Sequence, residues 1–154
     1  MALGFHFPFS TIGLDAHRDL ARVLLELGYE HVWTGENPGF NGFLPLALAS
    51  QWAPGIGLAS ACFPVQTRGP GLFADTAAQL CELAPPGKVV VGIGSSSEFV
   101  VSRMNARPFG SPLTAVRDMA RFLRQAFPGE PVEMDGESSR VRYELARARG
   151  APQR

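Results

Sequence analysis

Strand and helix patterns alternate four times along this chain, and that alternation restricts the fold more than any other feature of the sequence. Short apolar strand patterns at 3–7, 29–33, 56–63 and 88–93 are each followed by a helical pattern. The last helix is predicted to begin at Ser111 as N-cap, with Pro112 as its first residue. A β-α-β-α-β-α-β-α order predicts a parallel sheet with its ligand site at the carboxyl ends of the strands.

The segments that follow the strands are therefore the place to search for chemistry. They are 8–10, 34–37, 62–66 and 94–97. His6 stands out because a strand residue there can point into a lumen, whereas His17 is predicted on a solvated helix face. Cys62 and Cys81 have no CxxC spacing and no histidine cluster beside them, so we predict small buried apolar residues and no metal site. Thiols of this kind fit a reducing, cytoplasmic setting.

Composition and charge exclude several partners. The 154 residues carry 14 basic and 14 acidic side chains, and 45% are hydrophobic. The basic residues are scattered, so no nucleic-acid footprint is expected, and no apolar run is long enough for a membrane span. We predict one globular domain over 1–139 and an irregular, arginine-rich tail over 140–154.

Two short segments leave alternatives open on their residues alone. The sequence from Val91 to Ser97 offers glycines and serines after a strand, as in a dinucleotide-binding loop, but the third glycine of that fingerprint is missing. Small residues there also serve tight packing alone. Glu36 and Asn37 place an acid and an amide where a cofactor would meet them, or serve only as a loop acid and a turn residue.

Taken together, the segments resemble the luciferase-like oxidoreductase superfamily. The resemblance runs from about Leu3 to Gly136, in the family's order and spacing. It is carried by Gly28–Trp33 with Glu36 and Asn37, by Ile56–Pro64, by Gly87–Gly94, and by Ser95–Ser97, Asn105, Arg107–Phe109, Pro112 and Leu113. The last group is most similar to the actinobacterial branch that depends on coenzyme F420.

The resemblance implies an α/β fold of the TIM-barrel type, (β/α)8, of which about the first four βα units, the N-terminal half of the barrel, are present over 1–139. It also implies hydride transfer between a small-molecule substrate and a deazaflavin, coenzyme F420, or alternatively FMN. A non-prolyl cis peptide that braces the cofactor ring is expected at Ala59–Ser60. Further cofactor contacts are expected from Cys62 and from Ser95, Ser96 and Ser97, and catalytic contacts from Glu36 and Asn37.

The sequence departs from the family pattern in two ways. Asn37 stands where the family has a histidine, and an amide neither gives nor takes a proton at neutral pH. A barrel also needs eight units, so a homo-oligomer or a complementary half-barrel chain is expected to complete this one. The alternative is a non-catalytic half-barrel remnant that binds the cofactor or a partner chain without turnover.

Overall fold

The computed structural model describes residues 3–8 and 11–144, and these form two compact units. Unit one comprises Met1–Cys62 and Leu80–Gly92, and unit two comprises Phe63–Gln79 and Ile93–Arg154. Helix α3 (Pro70–Leu83) begins in unit two and ends in unit one.

Unit one is built on the predicted parallel sheet. Its strands are β1 (Gly4–His6), β2 (His31–Thr34), β3 (Gly57–Ser60) and β5 (Val89–Val90), and its helices are α1 (Ala16–Glu26) and α2 (Phe43–Trp52). The strand order is β1-β2-β3-β5, and every neighbouring pair is parallel. All four residues of β3 are buried, as expected for an apolar central strand.

The buried face of α1 differs from the predicted one. We expected His17 on a solvated face, but the helix buries His17, Ala21 and Leu24. The imidazole of His17 lies edge-on to Phe7, with ring centroids 5.1 Å apart, and its Nδ1 is 2.8 Å from the carbonyl oxygen of Gly13. Because its Nδ1 has a backbone partner and its ring packs against Phe7, His17 is a structural residue.

Unit two contains two small sheets and a long helix. Strand β4 (Phe63–Pro64) pairs in parallel with β6 (Ile93–Gly94), and β7 (Val132–Asp135) pairs antiparallel with β8 (Arg140–Tyr143). A π-helix (Phe99–Met104) precedes α4 (Pro112–Ala126). The predicted cap of α4 is confirmed, since the hydroxyl of Ser111 accepts a hydrogen bond from the Thr114 amide. Across the described ranges, no helix is long and apolar enough to cross a membrane.

The predicted irregular tail is wrong for its first four residues. Arg140–Tyr143 form β8, so the boundary at residue 139 falls within a β-hairpin. The strand forms because its inward side chains find partners. Val141 pairs with Met134, and the Tyr143 ring packs edge-on against Phe122, with the ring centroids 5.4 Å apart. The remainder of the predicted tail, from residue 145, lies outside the described residues.

The Tyr143 side chain also stabilises this hairpin through a hydrogen bond. Its hydroxyl donates a 2.7 Å hydrogen bond to the Asp75 carboxylate, and burial together with that carboxylate raises the pKa of the phenol. We expect Tyr143→Phe to lower the free energy of unfolding by about 1.5 kcal/mol, because it removes a hydrogen bond to a charged acceptor. Urea denaturation measures this change.

Tyr29→Phe is the matched control. The Tyr29 ring contacts Phe5 at 5.9 Å, and its hydroxyl has no hydrogen-bond partner within the part of the chain that the structure describes. That variant should change stability by less than about 0.5 kcal/mol. Equal effects of the two variants would show that the Asp75 hydrogen bond contributes nothing.

Candidate functional site

The carboxyl ends of β1, β2 and β3 lie side by side at one edge of unit one. The Phe7 amide donates to the Trp33 carbonyl at 2.9 Å, and the Ala61 amide donates to the Thr34 carbonyl at 2.7 Å. These bonds continue the parallel ladder just past the strands. The segments that leave the three strands therefore start from adjacent positions, as expected for a site at this edge.

Ala59 and Ser60, predicted to contact a cofactor ring, are both buried. Their exposed fractions are 0% and 2%. The Ser60 hydroxyl donates to the Gly92 carbonyl at 2.9 Å and accepts from the Gly92 amide at 2.8 Å. The Ser60 side chain is therefore occupied in joining β3 to the segment after β5, and neither side chain offers an open surface.

The non-prolyl cis peptide is present, but the predicted position at Ala59–Ser60 is wrong. It lies between Ala61 and Cys62. Ala59 and Ser60 are held in regular register with Trp33 and Thr34, whereas the irregular backbone begins only after β3 ends. Ala61 and Cys62 are exposed, so the prediction that Cys62 is buried is also wrong.

Glu36 and Asn37 lie on the loop that packs against this exposed segment. The Glu36 amide donates to the Cys62 carbonyl at 3.4 Å, and Asn37 closes a tight turn by accepting from the Phe40 amide at 2.9 Å. Gly35 permits the close approach, because a side chain there would begin 3.0 Å from the Ala61 carbonyl oxygen. The fold thus brings Glu36, which is half-buried, and Asn37, which is exposed, beside Cys62.

Two clefts open at this edge of unit one. The smaller, about 260 Å³, is lined by His6, Phe7, Pro8, Gly35, Asn37, Pro38 and Phe40. The larger, about 500 Å³, is mostly apolar and is lined by Thr11, Ile12, Gly13, Leu14, Gly39, Phe40, Asn41, Leu44 and Pro45. Phe40 belongs to both linings. Of the two predicted catalytic residues, Asn37 lines the smaller cleft. His6 lines the same cleft.

Ser95, Ser96 and Ser97 lie in unit two, directly after β6. Ser96 adopts a left-handed backbone conformation with φ of 64°. The Ser97 hydroxyl accepts from the Val100 amide at 3.4 Å, at the start of the π-helix. This contact gives the Ser97 hydroxyl a local structural role. The expected role of the three serines toward polar or phosphate groups of a cofactor stays a prediction.

Unit two also has a cleft that the sequence did not indicate. It measures about 490 Å³, and its polar lining includes Gln66, Arg68, Arg107 and Ser111. The Gln66 side chain accepts from the Gly110 amide at 3.0 Å, which fixes the loop that leads into α4. Arg107 belongs to the segment that carries the family resemblance, and Gln66 ends the predicted segment 62–66, whereas nothing in the sequence pattern marks Arg68.

Comparison with known proteins decides the family. The sequence model of the luciferase-like monooxygenases matches residues 3–154. The chain belongs to this family. A Mycobacterium tuberculosis protein whose provisional name is coenzyme F420-dependent oxidoreductase is 27% identical over 126 residues, which is 81% of this chain and 36% of that protein.

Comparison with solved structures shows which fold this chain adopts. The oxygenating constituent of 3,6-diketocamphane monooxygenase from Pseudomonas putida, solved with FMN, superposes with a TM-score of 0.79 at 19% identity. The F420-dependent tetrahydromethanopterin reductase of Methanopyrus kandleri gives 0.76 at 21% identity. They match 94% and 91% of this chain, and the chain covers 44% of each. The predicted luciferase-like TIM-barrel fold is confirmed, with this chain spanning less than half the length of these relatives.

Proposed function

We propose that this chain is the cofactor-binding part of an oxidoreductase that transfers a hydride between a small-molecule substrate and coenzyme F420, with FMN as the alternative cofactor. The observation that carries the proposal is the 27% identity, over 81% of the chain, to a protein named for dependence on F420. The family match over residues 3–154 supports the same reaction class.

The residues at the edge of unit one fit a planar cofactor ring. Ala61 and Cys62 present small, exposed side chains after β3, so a flat ring can approach the backbone there. The Asn37 amide faces a cleft and can both donate and accept hydrogen bonds. When bound, the deazaflavin or flavin supplies or takes the hydride. The protein's own contribution is to bind and orient the ring and to exclude water.

Native mass spectrometry with F420 and FMN offered separately tests the proposal. We expect F420 to be retained, one per chain. Retention of FMN alone would replace the cofactor assignment, and retention of neither would overturn the proposal. The same spectra report the assembly, for which we propose a homo-oligomer or a complex with a complementary half-barrel chain.

Blocking the exposed segment that follows β3 should weaken cofactor binding. We expect Cys62→Trp to raise the Kd for F420 at least about tenfold, since the indole would occupy the surface proposed for the ring, and each tenfold is about 1.4 kcal/mol. Fluorescence titration measures the Kd. Leu27→Trp is the control, because Leu27 is 68% exposed at the end of α1 and should leave the Kd unchanged. An unaltered Kd in Cys62→Trp would move the cofactor site elsewhere.

A second candidate function is cofactor binding without catalysis. It is favoured by Asn37, which stands where the family has a histidine and cannot transfer a proton at neutral pH. This candidate predicts stoichiometric F420 binding with no substrate-dependent oxidation of the reduced cofactor. Absorbance assays of reduced F420 with candidate substrates separate the two functions.

A further inference from the structure

His6 lines the small cleft at the carboxyl edge of the unit-one sheet. It is the last residue of β1, it is exposed, and it lines the same cleft as Asn37. Its Nε2 lies 3.6 Å from the point at which a side chain on Gly35 would begin. The imidazole therefore stands over the loop that carries Glu36 and Asn37, and Gly35 leaves room for it.

The hydrogen bond made by the other ring nitrogen fixes the chemistry of His6. Nδ1 lies 3.1 Å from the Phe7 carbonyl oxygen. A carbonyl only accepts, so Nδ1 carries a proton and donates it, which leaves Nε2 as the basic nitrogen of the neutral ring. Protonation at Nε2 preserves the Nδ1 hydrogen bond. The ring can thus exchange a proton at Nε2 without turning.

The other two histidines lack this arrangement. His17 is fully buried against Phe7. His31 is half-buried and lies over Gly57, at the amino end of β2. Among the described residues that line the small cleft, His6 is the one titratable side chain. The segments that leave β2 and β3 carry the titratable residues Glu36 and Cys62, and a hydrogen bond from the Glu36 amide to the Cys62 carbonyl joins these segments.

We propose that His6 Nε2 is the proton donor and acceptor for the reaction at this edge, in place of the residue that Asn37 replaces. The inference rests on the proposed function. In the reduction of a carbonyl substrate, the Nε2–H bond of protonated His6 breaks, an O–H bond forms on the substrate, and His6 becomes neutral. The substrate carbon gains a hydride with its electron pair from the reduced deazaflavin, which is thereby oxidised by two electrons. The reverse reaction returns the proton to Nε2.

Chemical labelling tests the geometry without needing a substrate. Diethyl pyrocarbonate acylates the unprotonated nitrogen of accessible imidazoles, and mass spectrometry locates the products. We expect His6 to react readily, His17 to resist, and bound F420 to protect His6 at least about tenfold while His31 keeps its rate. Protection of His31 instead, or no protection of His6 while F420 is bound, overturns the inference but not the proposed function. Absence of F420 and FMN binding overturns both.

Kinetics of variants test the proton transfer itself. Small ketones such as acetone and cyclohexanone serve as probes for the oxidation of reduced F420. We expect His6→Gln to keep the wild-type Kd for F420 and to lower kcat by about 10²- to 10⁴-fold, the usual contribution of a general acid. The residual rate of His6→Gln should be independent of pH over the range in which the wild-type rate changes. His31→Gln should match the wild type. A wild-type rate and pH profile in His6→Gln overturns the inference, and the labelling result decides it if no ketone is turned over.

Discussion

Gly92→Ala is expected to destabilise unit one by at least about 3 kcal/mol, enough to unfold a chain of ordinary stability in mild denaturant. A Cβ at residue 92 would overlap the Ser60 carbonyl oxygen, which is a backbone atom at the end of a fully buried strand. Relieving the overlap would separate the two segments and break both hydrogen bonds between the Ser60 hydroxyl and Gly92. Urea denaturation followed by circular dichroism measures the loss.

Gly69→Ala is the matched control for this substitution. A Cβ at residue 69 would have no heavy atom within 4 Å, and its backbone does not need a left-handed conformation. Its free energy of unfolding should stay within about 0.5 kcal/mol of the wild type. If Gly92→Ala were equally stable, the close approach of β3 to this segment would not be part of the fold.

Asp118→Asn is expected to cost about 3 kcal/mol of stability in unit two. Asp118 is 1% exposed, and one of its carboxylate oxygens accepts from both the amide and the hydroxyl of Ser138 at 2.8 Å. Its other oxygen accepts from Arg117 at 3.3 Å. An asparagine amide replaces one acceptor with a donor, which leaves buried groups without partners. Thermal and urea denaturation measure the change.

The Asp118 carboxylate also makes the stability of the fold sensitive to acid. The hydrogen bond from the Ser138 amide, helped by the Ser138 hydroxyl and Arg117, holds the pKa of Asp118 below its ordinary value of 3.8. Because the unfolded chain binds the Asp118 proton more tightly, the ionised carboxylate makes its full contribution to stability at neutral pH. That contribution is lost as pH falls below 3.8 and through the lower pKa of the folded state. Asp118→Asn should therefore lose less stability than the wild type over that range.

Asp135→Asn in the adjacent hairpin is the control for both effects. Asp135 pairs with Arg140 at 2.9 Å, but the two side chains are 69% and 83% exposed. Exposed pairs of this kind contribute about 1 kcal/mol at most. A loss as large as that of Asp118→Asn would show that surface charge, and not the buried carboxylate, holds the hairpin.

The order of elements could be predicted because each strand and helix has its own local pattern. The Ser111–Pro112 start of α4 and the four-stranded parallel sheet were both read from the sequence and are confirmed. The buried helix faces were less predictable. His17 was expected on a solvated face but is buried, whereas the apolar Leu113 in the first turn of α4 is 80% exposed. Hydrophobicity alone misassigns such positions, because a histidine can be buried when its ring nitrogen finds a backbone partner.

The candidate site was predictable in position but not in detail. The alternation of strands and helices placed it at the carboxyl ends of the strands, and the structure does bring Glu36, Asn37 and Cys62 to one edge. The resemblance could not fix the residue at which β3 ends, since a shift of two residues decides whether Ala59 or Ala61 is exposed. The direction of the His6 ring was also beyond the sequence, because it depends on the Phe7 carbonyl and on the space at Gly35.

The ladder of unit one has a consequence for the time course of folding. It pairs Gly4 with His31, His31 with Gly57 and Leu58 with Val89, so each parallel pairing closes a loop of about thirty residues. In unit two, β7 and β8 pair across the short span from Asp135 to Arg140. Hairpins of that kind close within about 1–10 μs, whereas pairings between distant residues are slow. We expect the hairpin to form early, and the edge of unit one that holds the clefts to be among the last parts of the chain to assemble.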